Sequence, residues 1–311
     1  MVLKDSQPEF DVVIIGGGPA GLATALWCAD LRMSSIVLER RDEFGGQLLS
    51  VYNAIKNYPG RETENGREMR DVFLSQVQQR KTELRTGVEI ARVDPTGAVV
   101  DSKGAIYSAR AIVIATGVSR RRLNIEGESD FYGKGIIESG QRDKEFVKDK
   151  RLLIVGGGDA ALENALLLAD VAAEVTVVIR KSAPSARAEF VDRVKGDRRV
   201  RFLFDSEVAK FSGGEVLSRA SVKNSKTGSI EVLDIDAALI RIGVEPNTNL
   251  LSGALDLDSR RYIKVDRECE TSVPRIFAVG DVANPSSPTI STAAGMGSTA
   301  AKKIHALLNH K

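Results

Sequence analysis

Two glycine-rich turns hold the residue types and spacings from which chemistry could follow. Gly16-Gly17-Gly18-Pro19-Ala20-Gly21 follows the apolar run Val12-Val13-Ile14-Ile15, and Gly156-Gly157-Gly158-Asp159-Ala160-Ala161 follows Leu152-Leu153-Ile154-Val155. In a G-x-G-x-x-G turn the first glycine bends the chain tightly. The second lets backbone approach a pyrophosphate, and the third allows a helix to pack close to a strand. The helix that opens there presents free N–H groups and a partial positive charge to phosphates. Past the first turn, Glu39 ends a second strand, where a carboxylate can accept hydrogen bonds from ribose hydroxyls. Past the second turn the same place is held by Arg180-Lys181, with Arg187 shortly after. Guanidinium and ammonium groups pair with a 2′-phosphate that a carboxylate would repel, so NADPH is expected there over NADH. The alternative is a basic loop over a site that is degenerate or holds another dinucleotide.

Two further motifs suit the first site. Ile112 to Ala115 reads as a strand running into the small-residue turn Thr116-Gly117. Ile276-Phe277-Ala278-Val279 reads as a strand ending in Gly280-Asp281, whose carboxylate can accept from a polyol such as ribityl. A helix expected to start near Thr292, after Pro288-Thr289-Ile290, would aim free N–H groups at the same place. Together with Glu39 these features point to FAD.

The elements that must position these residues read as two βαβ units. Each turn opens an apolar helix, through about Arg32 and about Asp170, and each helix leads into another strand, Ser35 to Leu38 and Glu174 to Ile179. Apolar runs alternating with helices predict parallel strands buried on both faces. Arg67 to Lys81 carries Met69, Val72, Phe73 and Val77 at helical spacing. Residues 88–93 and 97–107 alternate as a strand pair around a Pro-Thr-Gly turn, and 215–223 and 229–236 as another around Ser225-Lys226-Thr227-Gly228. Val118 to Gly127 and Gly243 to Asn249 read as loop-like linkers. The fold class expected is therefore α/β, with two Rossmann-like, three-layer ββα domains, the second inserted into the first. Residues 1–117 and 246–311 would form the FAD-binding domain, and 118–245 the NAD(P)H-binding type.

Composition excludes several classes. The 311 residues carry 44 basic and 42 acidic side chains, a net charge of +2, which gives no electrostatic case for nucleic acid or a membrane surface. No apolar run reaches the ~20 residues of a membrane span, and MVLKDSQPEF lacks the core of a signal peptide, so the cytoplasm is expected. His305 and His310 both lie in the tail, so a His-based hydrolase or metal site would need that tail folded back. The two cysteines, Cys28 and Cys269, form no CxxC and no metal-ligand cluster.

The order Gly-rich turn, Glu39, Gly45-Gly46-Gln47, Asn57-Tyr58-Pro59-Gly60, Ala115-Thr116-Gly117, Gly156 to Asp159 and Gly280-Asp281 resembles the low-molecular-weight thioredoxin reductases over essentially the whole chain. By position, the resemblance places Gly16, Gly18, Pro19, Ala20, Glu39, Arg40, Gly46, Gln47, Asn57, Thr116, Gly117, Gly280, Asp281 and Ile290 around FAD. It places Gly156, Gly158, Asp159, Ala160, Arg180, Lys181 and Arg187 around NADPH. It also implies a homodimer, and a second domain that rotates to offer the flavin alternately to NADPH and to a Cys pair.

One departure matters. In the stretch Gly133 to Asp143, the resemblance sets Ser139 and Arg142 where the family has its two cysteines, and Asp143 where it has the acidic proton donor. Neither a hydroxyl nor a guanidinium can replace a thiolate in disulfide exchange. Cys28 reads as a buried small hydrophobe, and Cys269 is flanked by carboxylates that would raise its pKa. Asp143 is either a residual proton donor, a charge steering an electron partner, or a plain surface aspartate. The expectation is an FAD enzyme passing electrons from NADPH to an unidentified acceptor, with a ferredoxin– or flavodoxin–NADP⁺ reductase as the alternative. Such reductases usually carry a carboxyl-terminal aromatic ring over the flavin, and the stretch His305-Ala306-Leu307-Leu308-Asn309-His310-Lys311 offers none, which lowers that expectation. A second flavin in the second site, or a role as a redox sensor or binding module, is also compatible with these residues.

Overall fold

The computed structural model describes residues 8–80, 82–94, 97–249 and 253–309, which form two compact units, 1–119 with 245–311, and 120–244. In chain order the first unit runs β1 (Phe10–Ile15), α1 (Pro19–Asp30), β2 (Ser35–Leu38), α2 (Gly66–Gln78), β3 (Glu83–Arg85), β4 (Ile90–Val93), β5 (Ala98–Asp101) and β6 (Ile106–Ile114). The short strand β7 (Val118–Arg120) leads into the second unit. That unit contains β8 (Ile136–Ile137), α3 (Lys144–Val147), β9 (Arg151–Val155), α4 (Asp159–Ala169), β10 (Glu174–Val178), α5 (Ala188–Lys195), β11 (Val200–Leu203), β12 (Ser206–Gly213), β13 (Leu217–Asn224), β14 (Ile230–Asp234) and β15 (Ala237–Ile240). The chain leaves by β16 (Val244–Pro246) and completes the first unit with β17 (Ile276–Ala278) and α6 (Ile290–Asn309).

In the first unit, β3, β2, β1, the second half of β6 and β17 lie parallel, while β4, β5 and the first half of β6 form an antiparallel meander. Alternate side chains of β1 explain the layers. Val12 and Ile14 pack under α1 and α6, whereas Val13 and Ile15 face a second core with Val93, Val99 and Tyr107. Close contact between α1 and α6 depends on small residues: a Cβ on Gly297 would lie 2.7 Å from the carbonyl oxygen of Ala20. The second unit repeats the plan. Its parallel sheet has the order β11-β10-β9-β15-β8, with helical residues Leu162, Ala165 and Leu168 on one face. Meander residues Val208, Phe211, Leu217 and Val222 cover the other. The α/β class and the three-layer ββα plan expected from the sequence are those observed.

Local expectations differ in four places. Residues 97–107 are not one strand. Asp101 Oδ1 accepts from the N–H groups of Lys103 and Ala105 at 2.9 and 2.8 Å, and this side-chain-closed turn separates β5 from β6. The strand β12 was not foreseen, because a bulge between Val208 and Lys210 breaks the period of two on which strand patterns depend. The stretches read as loop-like linkers begin or contain β7 and β16, which pair with each other. Helix α6 begins at Ile290 rather than near Thr292, since Thr289 Oγ1 accepts from the N–H of Thr292 at 3.1 Å and caps it. Pro95, Thr96, Lys81 and His310 lie outside the described residues.

Candidate functional site

At the carboxyl end of β1 the chain turns at Gly16 with φ +109°, a conformation that L side chains rarely adopt. A Cβ there would lie 2.4 Å from the carbonyl oxygen of Ala115, and one on Gly21 1.9 Å from that of Gly16. Glycine at these two positions is therefore dictated by close backbone approach. Glu39, buried at the end of β2, ties the turn down: its Oε2 accepts from the N–H of Gly17 at 2.7 Å and its Oε1 from that of Arg41 at 3.0 Å. Each carboxylate oxygen keeps a second lone pair for a ribose hydroxyl.

A cavity of about 450 Å³ opens beside this turn, and its wall includes every residue named above for FAD. A second cavity of about 380 Å³ shares Gly16, Glu39, Arg40, Thr116 and Asn247 with it and reaches Val88, Glu89, Ile90 and Ala91. Sequence reasoning missed those four residues and Asn247. Asn247 is a central support: Nδ2 donates to Thr116 O at 2.7 Å, its carbonyl accepts from Thr116 Oγ1 at 2.8 Å, and Oδ1 accepts from Ser119 Oγ at 2.7 Å. Its place after Pro246 in a supposed linker hid it. Gln47 donates from Nε2 to Val118 O at 2.6 Å, between the two residues that Asn247 holds.

Asp281 is the unsatisfied group in this wall. Its half-buried carboxylate accepts no hydrogen bond from any described residue, and burial raises its pKa above the usual carboxylate value. A chain of hydroxyls would supply the missing donors. The capped start of α6 adds the free N–H groups of Ile290 and Ser291 to the same cavity. A backbone cradle that admits no Cβ, two carboxylates placed for hydroxyls and a helix N-terminus together fit FAD.

In the second unit Gly156 turns with φ +138°, and a Cβ there would lie 2.1 Å from the carbonyl oxygen of Arg241. Gly158 has open space on its Cβ side, and Ala160 is exposed on the first turn of α4. Arg180 and Lys181 stand exposed beyond β10. Arg187 is engaged otherwise than expected. Its backbone N–H and Nε donate to the two oxygens of Asp159 at 2.7 and 2.9 Å, and it pairs with Glu189 at 3.1 Å. The carboxylate of Asp159 at the first position of α4 attracts it, and the pair neutralises charge where a phosphate would approach.

The turn Ser139–Asp143 is closed by hydrogen bonds rather than by sulfur. Asp143 Oδ2 accepts from the N–H groups of Glu138 and Ser139, both at 3.1 Å, while Arg142 Nε and Nη2 donate to Oδ1 and Oδ2 at 2.6 and 2.9 Å. Burial pushes the Asp143 pKa up, but Arg142 and the two amides outweigh it and hold the carboxyl below its usual value. Asp143 is thus a fully engaged acceptor. Both cysteines are buried in the first unit's core. Burial, with Asp11 nearby, pushes the Cys28 thiol up to about 12, and burial with Asp266 pushes Cys269 up to about 11.

Comparison with known proteins agrees with this geometry. Residues 10–297 match the family described as pyridine nucleotide-disulphide oxidoreductase. A thioredoxin reductase of Streptomyces coelicolor is 34% identical, with 94% of this chain and 91% of the relative covered. One of Listeria monocytogenes is 34% identical over 96% of this chain and 93% of its own. The crystal structure of Lactococcus lactis thioredoxin reductase superimposes with a TM-score of 0.83 at 30% identity, covering 96% of this chain and 99% of that one.

Proposed function

The chain belongs to the pyridine nucleotide-disulphide oxidoreductase family, and from that premise we propose that its electrons pass from NADPH through FAD to an acceptor other than a disulfide of its own. It is an FAD-dependent oxidoreductase of the thioredoxin reductase type, with FAD and NADPH as the cofactors of that type. The observation that carries the finer reading is a complete flavin cradle in a chain whose Cys-pair positions, by resemblance, hold Ser139 and Arg142. FAD supplies a redox centre that takes hydride from a nicotinamide and releases electrons to an acceptor.

The chain's own residues bind and position. Gly16 and Gly18 admit the pyrophosphate, Glu39 holds a ribose, and Asp281 holds the polyol chain. Arg180 and Lys181 read the 2′-phosphate. Cys28 and Cys269 are buried thiols with raised pKa values, the opposite of a reactive thiolate. Asp143 serves as a turn-closing acceptor and not as a proton donor. A cytoplasmic homodimer belongs to the same proposal.

Mixing purified flavoprotein with NADPH without oxygen tests this. Bleaching of the oxidised flavin band is expected, and a band that persists would overturn the proposal. A second reading rests on the Arg187–Asp159 pair, which leaves two cations rather than three for a 2′-phosphate: the second turn then holds another dinucleotide, FAD included. A flavin-to-protein ratio near two, instead of one, would select it.

A further inference from the structure

We propose that Arg120 and Arg241 form a binding site for a small oxyanion, a carboxylate- or phosphate-bearing molecule, at the carboxyl edge of the second unit's parallel sheet. Arg241 follows β15 directly, and its carbonyl backs the Gly156 turn. Its side chain turns the other way, toward β8: Nη2 donates to Glu138 O at 2.7 Å and Nη1 to Ile240 O at 3.1 Å. Arg120 Nη1 donates to the same Glu138 carbonyl. Two full positive charges therefore converge on one neutral oxygen.

No ion pair joins either guanidinium to a carboxylate among the described residues; Glu138 and Asp143 act on Arg241 through space and partly oppose the Arg120 charge, but their hydrogen bonds go elsewhere. Glu138 accepts from Tyr132 Oη at 2.6 Å and Arg142 Nη1 at 3.1 Å, and Asp143 is forked by Arg142. Arg122 adds a further positive charge, stacked 5.6 Å from the Tyr132 ring centre. Burial, followed by the charge of Arg120, pulls the Arg241 pKa down to about 10. Like charges held together, one half-buried on Arg241 and one exposed on Arg120, with most of their N–H donors bonded to no described residue, are relieved by an anion between them. The planar guanidinium fork matches carboxylate and phosphate oxygens.

The location fits a ligand. Open α/β sheets bind at the carboxyl ends of their strands. In the order β11-β10-β9-β15-β8, Arg180 and Lys181 follow β10 on one side of the Gly156 turn, and Arg241 follows β15 on the other. One cationic end serves the nucleotide, and the other, beside Ser139, serves a different molecule. That this molecule is the electron acceptor rests on the function proposed above; its binding does not.

Calorimetry on the flavin-loaded protein, without nicotinamide and at chloride-balanced ionic strength, provides the test, with inorganic phosphate and malonate as separate probes. Saturable binding of at least one is expected, weakened about tenfold or more in Arg241→Gln and in Arg120→Gln, and retained in Arg180→Ala/Lys181→Ala. Tighter phosphate indicates a phosphate ester as the ligand, and tighter malonate a carboxylate. Arg120 is exposed, so its variant keeps the comparison open if Arg241→Gln does not fold. No saturable heat with either probe, unchanged affinity in both glutamine variants, or loss in the Arg180/Lys181 variant would overturn the site. Because NADPH is absent, failure here leaves flavin reduction untouched, and failure of flavin reduction leaves this binding standing.

Discussion

The Nε–H of Arg142 donates to Oδ1 of Asp143 at 2.6 Å while Nη2 donates to Oδ2 at 2.9 Å, a fork between sequence neighbours that locks the turn beginning at Ser139. A folded-state carboxyl held below its ordinary value stabilises the fold above the unfolded pKa and loses that contribution as pH falls through the folded one. The direction for Asp143 is downward, so its share is present at neutral pH and fades in acid. Arg142→Ala should cost up to about 1 kcal/mol at neutral pH, because the pair is partly exposed. The melting temperatures of variant and wild type should converge in acid. A gap that stays constant from neutral to acid pH would show that the fork does not set it.

Asp281 has the opposite sign. Burial raises its pKa, so in flavin-free protein its contribution is greatest in acid and is lost as pH rises through the folded value. Asp281→Asn is therefore expected to raise the melting temperature of flavin-free protein at neutral pH, yet to weaken FAD by ~10–100-fold through loss of a charged acceptor. Flavin fluorescence on dilution measures the second effect. Unchanged retention would remove Asp281 from the site.

The two glycine turns should respond differently to alanine. Gly16→Ala forces a Cβ to 2.4 Å from Ala115 O at a φ of +109° and should cost about 2–4 kcal/mol along with the flavin. Gly158→Ala meets nothing within 4 Å and should cost less than about 1 kcal/mol, as a poorer helix N-cap. Its effect should fall on nucleotide affinity, where a methyl intrudes on the phosphate path. Equal loss of stability in both variants would contradict the difference in backbone crowding.

Arg180→Ala with Lys181→Ala should weaken NADPH by ~1–3 kcal/mol per lost charge-assisted bond and spare NADH. Arg187→Ala should affect the two nucleotides alike, since that guanidinium is held by Asp159 at 2.9 Å. Michaelis constants for both nucleotides decide the matter, and equal losses in the double variant would mean that neither residue reads the 2′-phosphate.

What could be read from the sequence follows from how local each signal is. The buried strands Val12–Ile15 and Leu152–Val155 declare themselves by composition alone, because parallel strands covered on both faces are apolar throughout. Glu39 and Asp281 were visible because each ends such a strand. Asn247 was not, since its contacts to Thr116 and Ser119 join residues far apart in the chain. The strand β12 was hidden by its bulge. The partner of Arg187 was hidden too, because only the folded chain brings Asp159 within reach.

In the function proposed above, the electrons of NADPH stop at the flavin before leaving the protein, with no disulfide in between. An anaerobic titration of the flavoprotein with NADPH, followed at the flavin band, measures this directly. The expected result is complete bleaching by a single hydride per flavin. A second equivalent consumed before bleaching is complete, as a flavin feeding a dithiol would require, contradicts that route, and so does a band that does not bleach.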